Sequence, residues 1–226
     1  MGKLLKRAKI NDFVRRSYNF EVRAEESSAV SGEQYGILTG RPVVYNEWTE
    51  LGCFSEIIEA GALDGADLTD VRFLVNHDLS KIPLARSRRN NMGRNTMQLT
   101  PDSRGLSLDW VKLDINNNAD ARALYSAVER RDVDGMSFCF VIDADAWEDI
   151  DSNHPKRHIT RIKKIIEVSA VTFPAYPGTD IYVQNEAALE SARQALESAT
   201  QSRTSEVDTA ELLALEKAKF NLLLRR

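Results

Sequence analysis

The sequence predicts an α+β fold, mainly antiparallel β, with a barrel-like core, flanking helices and a C-terminal helical tail. Three observations predict it. Between Tyr18 and Val183, short stretches alternate apolar and polar residues and are punctuated by Gly, Pro, Asp and Asn. Within that span one stretch, Asn118 to Arg131, changes period, with Ala121, Leu124, Tyr125 and Val128 at three-four spacing. After Val183 the composition turns Ala- and Glu-rich. Many short strands joined by turns favour a barrel or a sandwich. The chain then divides into a basic leader, 1–16, expected to be flexible; a main domain, 17–184; and a helical tail, 185–226.

The elements follow in order. The leader carries Lys3, Lys6, Arg7, Lys9, Arg15 and Arg16 and reads as a solvated arm. Tyr18 to Arg23 alternates as a strand, and Glu25 to Gly32 is a loop of charged and small residues. Tyr35 to Trp48 is a second strand region, with Gly36 and Gly40-Arg41-Pro42 as breaks or bulges. Phe54 to Glu59 is a short extended or helical piece ending at Gly61. Val71 to Asp78 is a buried strand that runs out into polar residues, and Pro83 to Ser87 is the next strand. Thr96–Thr100 and Leu106–Leu113 form a hairpin around Pro101-Asp102-Ser103-Arg104-Gly105. Asn118 is a fair N-cap for the helix, and Arg130-Arg131 suits its C-terminal end. Asp134-Gly135 then turns into the strand Met136–Ile142, and Asp143 to His158 reads as a polar excursion rich in acid. Ile159 to Phe173 is a further strand, ended by Pro174 and Pro177-Gly178. The tail reads as a helix from Asn185 to Ala199, a polar linker from Gln201 to Asp208, and a second helix from Thr209 to Arg226.

Composition narrows the class. The 226 residues are 42% hydrophobic and 28% charged, as in an ordinary soluble globular protein. A formal net charge of −4 gives no basic footprint for nucleic acid. No apolar run approaches the roughly 18 residues that a bilayer span requires, so no membrane partner is expected. The leader lacks an apolar segment and a cleavage site of the secretory kind. Cys53 and Cys139 form neither a disulfide framework nor a metal-ligand pattern, which fits a reduced intracellular setting. No cofactor and no metal are expected.

The stretch Asp134 to Ile142 concentrates the candidate chemistry. Ser137 and Cys139 share one face of a strand, and Phe138 and Phe140 share the other. Two aromatics on one side ask for a core; a hydroxyl and a thiol on the other side line a wall. The strand is either an ordinary half-buried one or the seat of a nucleophile, Ser137 or the intrinsically more reactive Cys139. A serine nucleophile needs a base within hydrogen-bond reach, and the base needs a third group to fix its tautomer. Of the three histidines, His154 and His158 flank Pro155 in what reads as a solvated loop, with no third metal ligand near them in sequence. His77 sits where an apolar strand emerges between Asn76 and Asp78, a good seat for a general base. Glu167 lies between Ile165-Ile166 and Val168. An acid inside an apolar strand either finds a partner or faces a surface beside Ser169, and both readings stay open here.

Taken together, Asn76-His77-Asp78, Gly135-Met136-Ser137-Phe138 and Glu167-Val168-Ser169 leading to Phe173-Pro174-Ala175-Tyr176, in this order and spacing, resemble the prohead proteases of tailed bacteriophages. These are capsid-maturation serine proteases, similar in fold to the herpesvirus assemblins. Phe54-Ser55-Glu56, Gly61-Ala62 and the Gly105-Leu106 hairpin also fit, and the resemblance spans about Tyr18 to Val183. It implies Ser137 as nucleophile, His77 as base and Glu167 as the acidic third member. It implies a substrate in the phage's major capsid protein and scaffold segments, cut inside the procapsid in the host cytoplasm, with self-cleavage and possible self-association. The family often has Gly where this chain has Cys139. A rival reading is a non-catalytic procapsid assembly or scaffold protein acting through its C-terminal helices.

Overall fold

The computed structural model describes residues 5–8, 13–18, 22–25, 35–88, 95–172 and 193–204. Two long strands, β11 (Gly135–Glu148) and β12 (Lys156–Val171), pair antiparallel along their whole length and form the spine of the molecule. Their outer edges are covered by short strands. On the β11 side these are β1 (Leu5–Ala8) and β2 (Phe13–Tyr18), both antiparallel to it. On the β12 side they are β6 (Ser55–Ile58) and β7 (Asp70–Val75), both parallel to it. β5 (Thr49–Glu50) and β8 (Ala85–Arg88) extend this eight-stranded sheet beyond β6 and β7. A four-stranded sheet has the order β3 (Val22–Glu25), β4 (Gly36–Val44), β10 (Gly105–Leu113), β9 (Met97–Asp102). The helix α1 (Ala119–Glu129) is capped by the Asn118 side chain, which accepts from the amides of Asp120 and Ala121.

One cluster of buried apolar side chains joins the two sheets. Leu38, Val43, Leu106 and Val111 come from the smaller sheet, and Phe73, Phe138, Phe140, Ile165 and Val168 from the larger. Ala121, Leu124 and Val128 of α1 complete it, so the three-four stripe is the buried face of the helix. Gly36 makes room for this packing, because a Cβ there would press on the Tyr125 ring. At the hairpin turn Gly105 holds φ +143, and a Cβ there would overlap the Val43 carbonyl oxygen.

Several expectations need correction. The architecture is mostly β, but the sheets do not close into a barrel. Closure requires the hydrogen-bonded ladder to run unbroken around the core. Here the ladder through β4 and β10 ends at β3 and β9; beyond it, isolated backbone bonds from Val22 to Asp134 and from Thr96 to Arg86, together with the shared apolar core, link the two sheets without continuing the ladder. Residues of the basic leader form β1 and part of β2 instead of a free arm. The acidic stretch from Asp143 is not an excursion: β11 runs on to Glu148, and β12 already begins at Lys156. Charged residues stay in these strands because they pair. Arg157, 1% exposed, donates to Asp145 at 2.8 Å and to Glu56 at 3.3 Å, and its guanidinium lies 5.5 Å from the Trp147 ring centroid.

Of the expected tail, residues 193–204 form a helix, α2; the rest of the first expected helix and all of the second fall on residues 185–192 and 205–226, which lie outside the described residues. The helix continues through the start of the expected polar linker. Thr200, Ser202 and Thr204 keep their hydroxyls occupied by donating to the carbonyls of Leu196, Ser198 and Thr200. Ala195, Leu196 and Ala199 dock this helix on Phe54, Trp147 and Ile150, a cluster separate from the main core.

The Arg157 pairs yield a direct prediction. Arg157→Ala takes the guanidinium away from two buried carboxylates, Asp145 and Glu56, so it should lower unfolding free energy by about 3–5 kcal/mol. Urea denaturation of the variant checks this.

Candidate active site

The side chains singled out in sequence meet at one end of the β11–β12 ladder. Alternation along β11 puts Met136, Phe138 and Phe140 into the core, with the two phenylalanine rings 4.7 Å apart, and turns Ser137 and Cys139 to the other face. The register pairs Ser137 with Ser169 and Cys139 with Glu167. Residues paired across a ladder share a face, so the hydroxyl and the carboxylate stand in adjacent rows of one wall.

His77 reaches this wall from β7. Parallel pairing sets Leu74 beside Ser169 and Val75 beside Ala170, and the Asn76 amide extends the ladder by donating to the Ala170 carbonyl at 2.9 Å. The chain then turns sharply. Asn76 and His77 hold φ 51 and 57, and the Asp78 amide donates to the Val75 carbonyl at 3.0 Å. Asn and His are among the residues that tolerate left-handed backbone best, at a cost of roughly 1–2 kcal/mol each. The turn is tied down on both sides. Asn76 Oδ1 accepts from the Thr172 amide at 2.9 Å, and Asn76 Nδ2 donates to Thr172 Oγ1 at 3.0 Å. Beyond His77, the Ser80 hydroxyl and amide donate to Asp78, which holds its carboxyl below the usual carboxylate range.

The two faces of the imidazole edge have different partners. Ser137 Oγ lies 2.5 Å from Nε2, and Glu167 Oε1 lies 2.5 Å from Nδ1. A carboxylate only accepts, so the Nδ1 proton belongs on the Glu167 side and Nε2 is left to accept from the Ser137 hydroxyl. Glu167 is 1% exposed, which removes the reading of it as a surface residue. Its second oxygen, Oε2, accepts from Ser169 Oγ at 2.5 Å. Ser137 is fully buried, while the His77 side chain keeps 13% exposure and marks the side from which solvent approaches. Cys139 is 7% exposed and packed one row along from Ser137.

The other two histidines lie elsewhere and are built differently. Ser55 Oγ at 2.9 Å and Glu50 Oε2 at 2.8 Å both address the same nitrogen of His154, Nε2, so no proton path crosses that ring. His158 sits within β12, not in a loop, and its Nδ1 donates to Glu59 at 2.6 Å. Its Nε2 lies 3.5 Å from Glu148, within ion-pair reach but without hydrogen-bond geometry. Among the described residues no group of three or more His, Cys, Asp or Glu is arranged to hold a metal ion.

Sequence reasoning missed the part played by Ser169 and by Thr172. Alternation did place Ser169 on the Glu167 face, but only the register and the turn at Asn76 show what each hydroxyl meets.

Hydroxyl, imidazole and carboxylate in file are the parts from which serine hydrolases are made. The chain belongs to the caudovirus prohead serine protease family, whose model matches residues 18–194. It is therefore a serine peptidase of phage capsid maturation. Searches of curated proteins and of solved structures each return no match.

Thiol chemistry tests the described packing. Cys53, which is half-buried, should react with a disulfide reagent in the native protein well before Cys139, with both reacting at once after denaturation. Timed labelling followed by peptide mapping reads the order.

Proposed function

We propose that the chain is a serine endopeptidase in which Ser137 attacks, His77 moves the proton and Glu167 holds His77. The observation that supports this most is the placement of Ser137 and Glu167 on opposite nitrogens of one imidazole. His77 Nε2 takes the hydroxyl proton as Ser137 Oγ bonds to the scissile carbonyl carbon. The resulting imidazolium is held by the Glu167 carboxylate and gives its proton to the departing amine. Water, deprotonated by the same nitrogen, then releases the acyl group and restores Ser137. Ser137 is fully buried, so a substrate must open the wall before the carbonyl arrives, and acylation includes that step. Phe138 and Phe140 do not obstruct it, since they point into the core.

The substrates we propose are the major capsid protein, its scaffold segments and the enzyme's own chain, cut inside the procapsid in the host cytoplasm. No metal, cofactor, nucleic acid or membrane enters the reaction. Among the described residues no helix is long and apolar enough to cross a membrane. In this reading residues 17–184 form the protease domain, 1–16 a leader and 185–226 a tail, with self-association left to direct measurement. The rival role, assembly through the C-terminal helices, gains less support. Residues 193–204 are docked on Phe54 and Trp147, so removing the chain after Val183 uncovers that apolar cluster as well as removing any partner surface.

Co-expression with the capsid protein tests the proposal. Ser137→Ala and His77→Ala should each leave the precursor uncut. Glu167→Gln, which keeps the shape but supplies the wrong hydrogen, should slow cutting by roughly 10²–10⁴-fold. Normal processing by Ser137→Ala would reject Ser137 and turn attention to Cys139.

A further inference from the structure

Ser169 stands in the same wall as Ser137 and Glu167 and hydrogen-bonds to the Glu167 side chain and to the His77 backbone. It is fully buried on β12. Its hydroxyl donates to Glu167 Oε2 at 2.5 Å and accepts the main-chain amide of His77 at 3.3 Å. One group therefore meets the carboxylate oxygen that His77 does not use and the backbone of the residue that carries the imidazole.

The chemistry fixes the direction of both contacts. Glu167 can only accept, so the Ser169 proton points to it. The lone pairs are then free for the His77 amide, which lies in the left-handed turn just past the last ladder bond. Without the hydroxyl, Oε2 would be a charged oxygen in dry surroundings with one donor gone, and the carboxyl group could rotate about its last torsion. Oε1 would then no longer be held on Nδ1.

We infer that Ser169 is a positioning residue for acyl transfer at Ser137. It locks the Glu167 carboxylate in the orientation that fixes the His77 tautomer, and it anchors the turn that aims the ring. This rests on the roles proposed above for Ser137, His77 and Glu167.

The test uses the full chain and a fluorophosphonate probe, which phosphonylates an activated serine with loss of fluoride and requires no known peptide substrate. Ser169→Ala should slow labelling of Ser137 by about ten- to a hundredfold, the scale on which losing an outer partner acts at metal sites. It should also shift or remove the far-downfield proton resonance of His77 Nδ1–H, a signal that a merely space-filling serine would leave in place. In a Glu167→Ala background the same change should add little, because the hydroxyl acts through the carboxylate. Thermal unfolding reports whether Ser169→Ala folds; if it does not, Ser169→Cys, close in size but a weak donor, carries the same comparison. Labelling of the variant at the wild-type rate, or an equal loss in both backgrounds, overturns the inference. Failure of the wild type to label would sink the proposed function first. Labelling of the wild type but not of Ser137→Ala would leave that function standing and put only Ser169 at issue.

Discussion

The antiparallel register of β11 and β12 is the constraint on which the site depends. It sets Ser137 opposite Ser169 and Cys139 opposite Glu167, and so lays a hydroxyl and a carboxylate on one wall. A shift of one residue would turn every one of these side chains to the other face and push phenylalanines out into their place. The core therefore guards the site. Phe138, Phe140, Val168 and Ala170 are buried against both sheets, and their burial fixes the register that positions the polar face. Each large apolar side chain contributes about 1.5–3 kcal/mol on burial, which makes the slipped register far costlier than any gain a polar contact could return.

Glu167 is the costly member of this wall. Burying a carboxylate at 1% exposure costs several kcal/mol, and charge-assisted hydrogen bonds each return about 1.5–3 kcal/mol. Two donors, Ser169 Oγ and His77 Nδ1, bring the balance near zero. The carboxylate thus holds its place only while both donors hold theirs. The same reasoning explains the other buried acids, Asp145 and Glu56, which face Arg157. The two buried charge clusters sit toward opposite ends of the β11–β12 ribbon, one open to an imidazole and one closed by a guanidinium.

Much of this was legible in the sequence, and the reasons are local. The alternation from Ser137 to Phe140 fixes which residues face the core, and it needs no knowledge of the neighbours. The three-four stripe on α1 and the Asn118 cap are equally local. The turn residues around Asp102 and Gly105 marked the β9–β10 hairpin, whose geometry only glycine relieves at Gly105. His77 was visible as a polar residue at the mouth of an apolar strand, and its place beside Ser137 and Glu167 followed from resemblance, not from spacing. What stayed hidden depends on long-range pairing. Alternation does not tell an open pair of sheets from a closed barrel, since both bury one face. The run from Asp143 to His158 looked like loop because its charges are paired across strands, Asp145 with Arg157 and Asp143 with Arg161. The polar tail residues Gln201 to Thr204 looked like linker because hydroxyls that bond back to their own helix, as those of Ser202 and Thr204 do, cannot be told from free ones in sequence.

The most direct test of the account is to find where a serine-directed fluorophosphonate bonds to the native chain, by fragment mass spectrometry of the digested protein. The account predicts one adduct, on Ser137, and its loss when His77 is replaced by alanine. An adduct on another residue, or an adduct on Ser137 that forms equally fast without the imidazole, would contradict it.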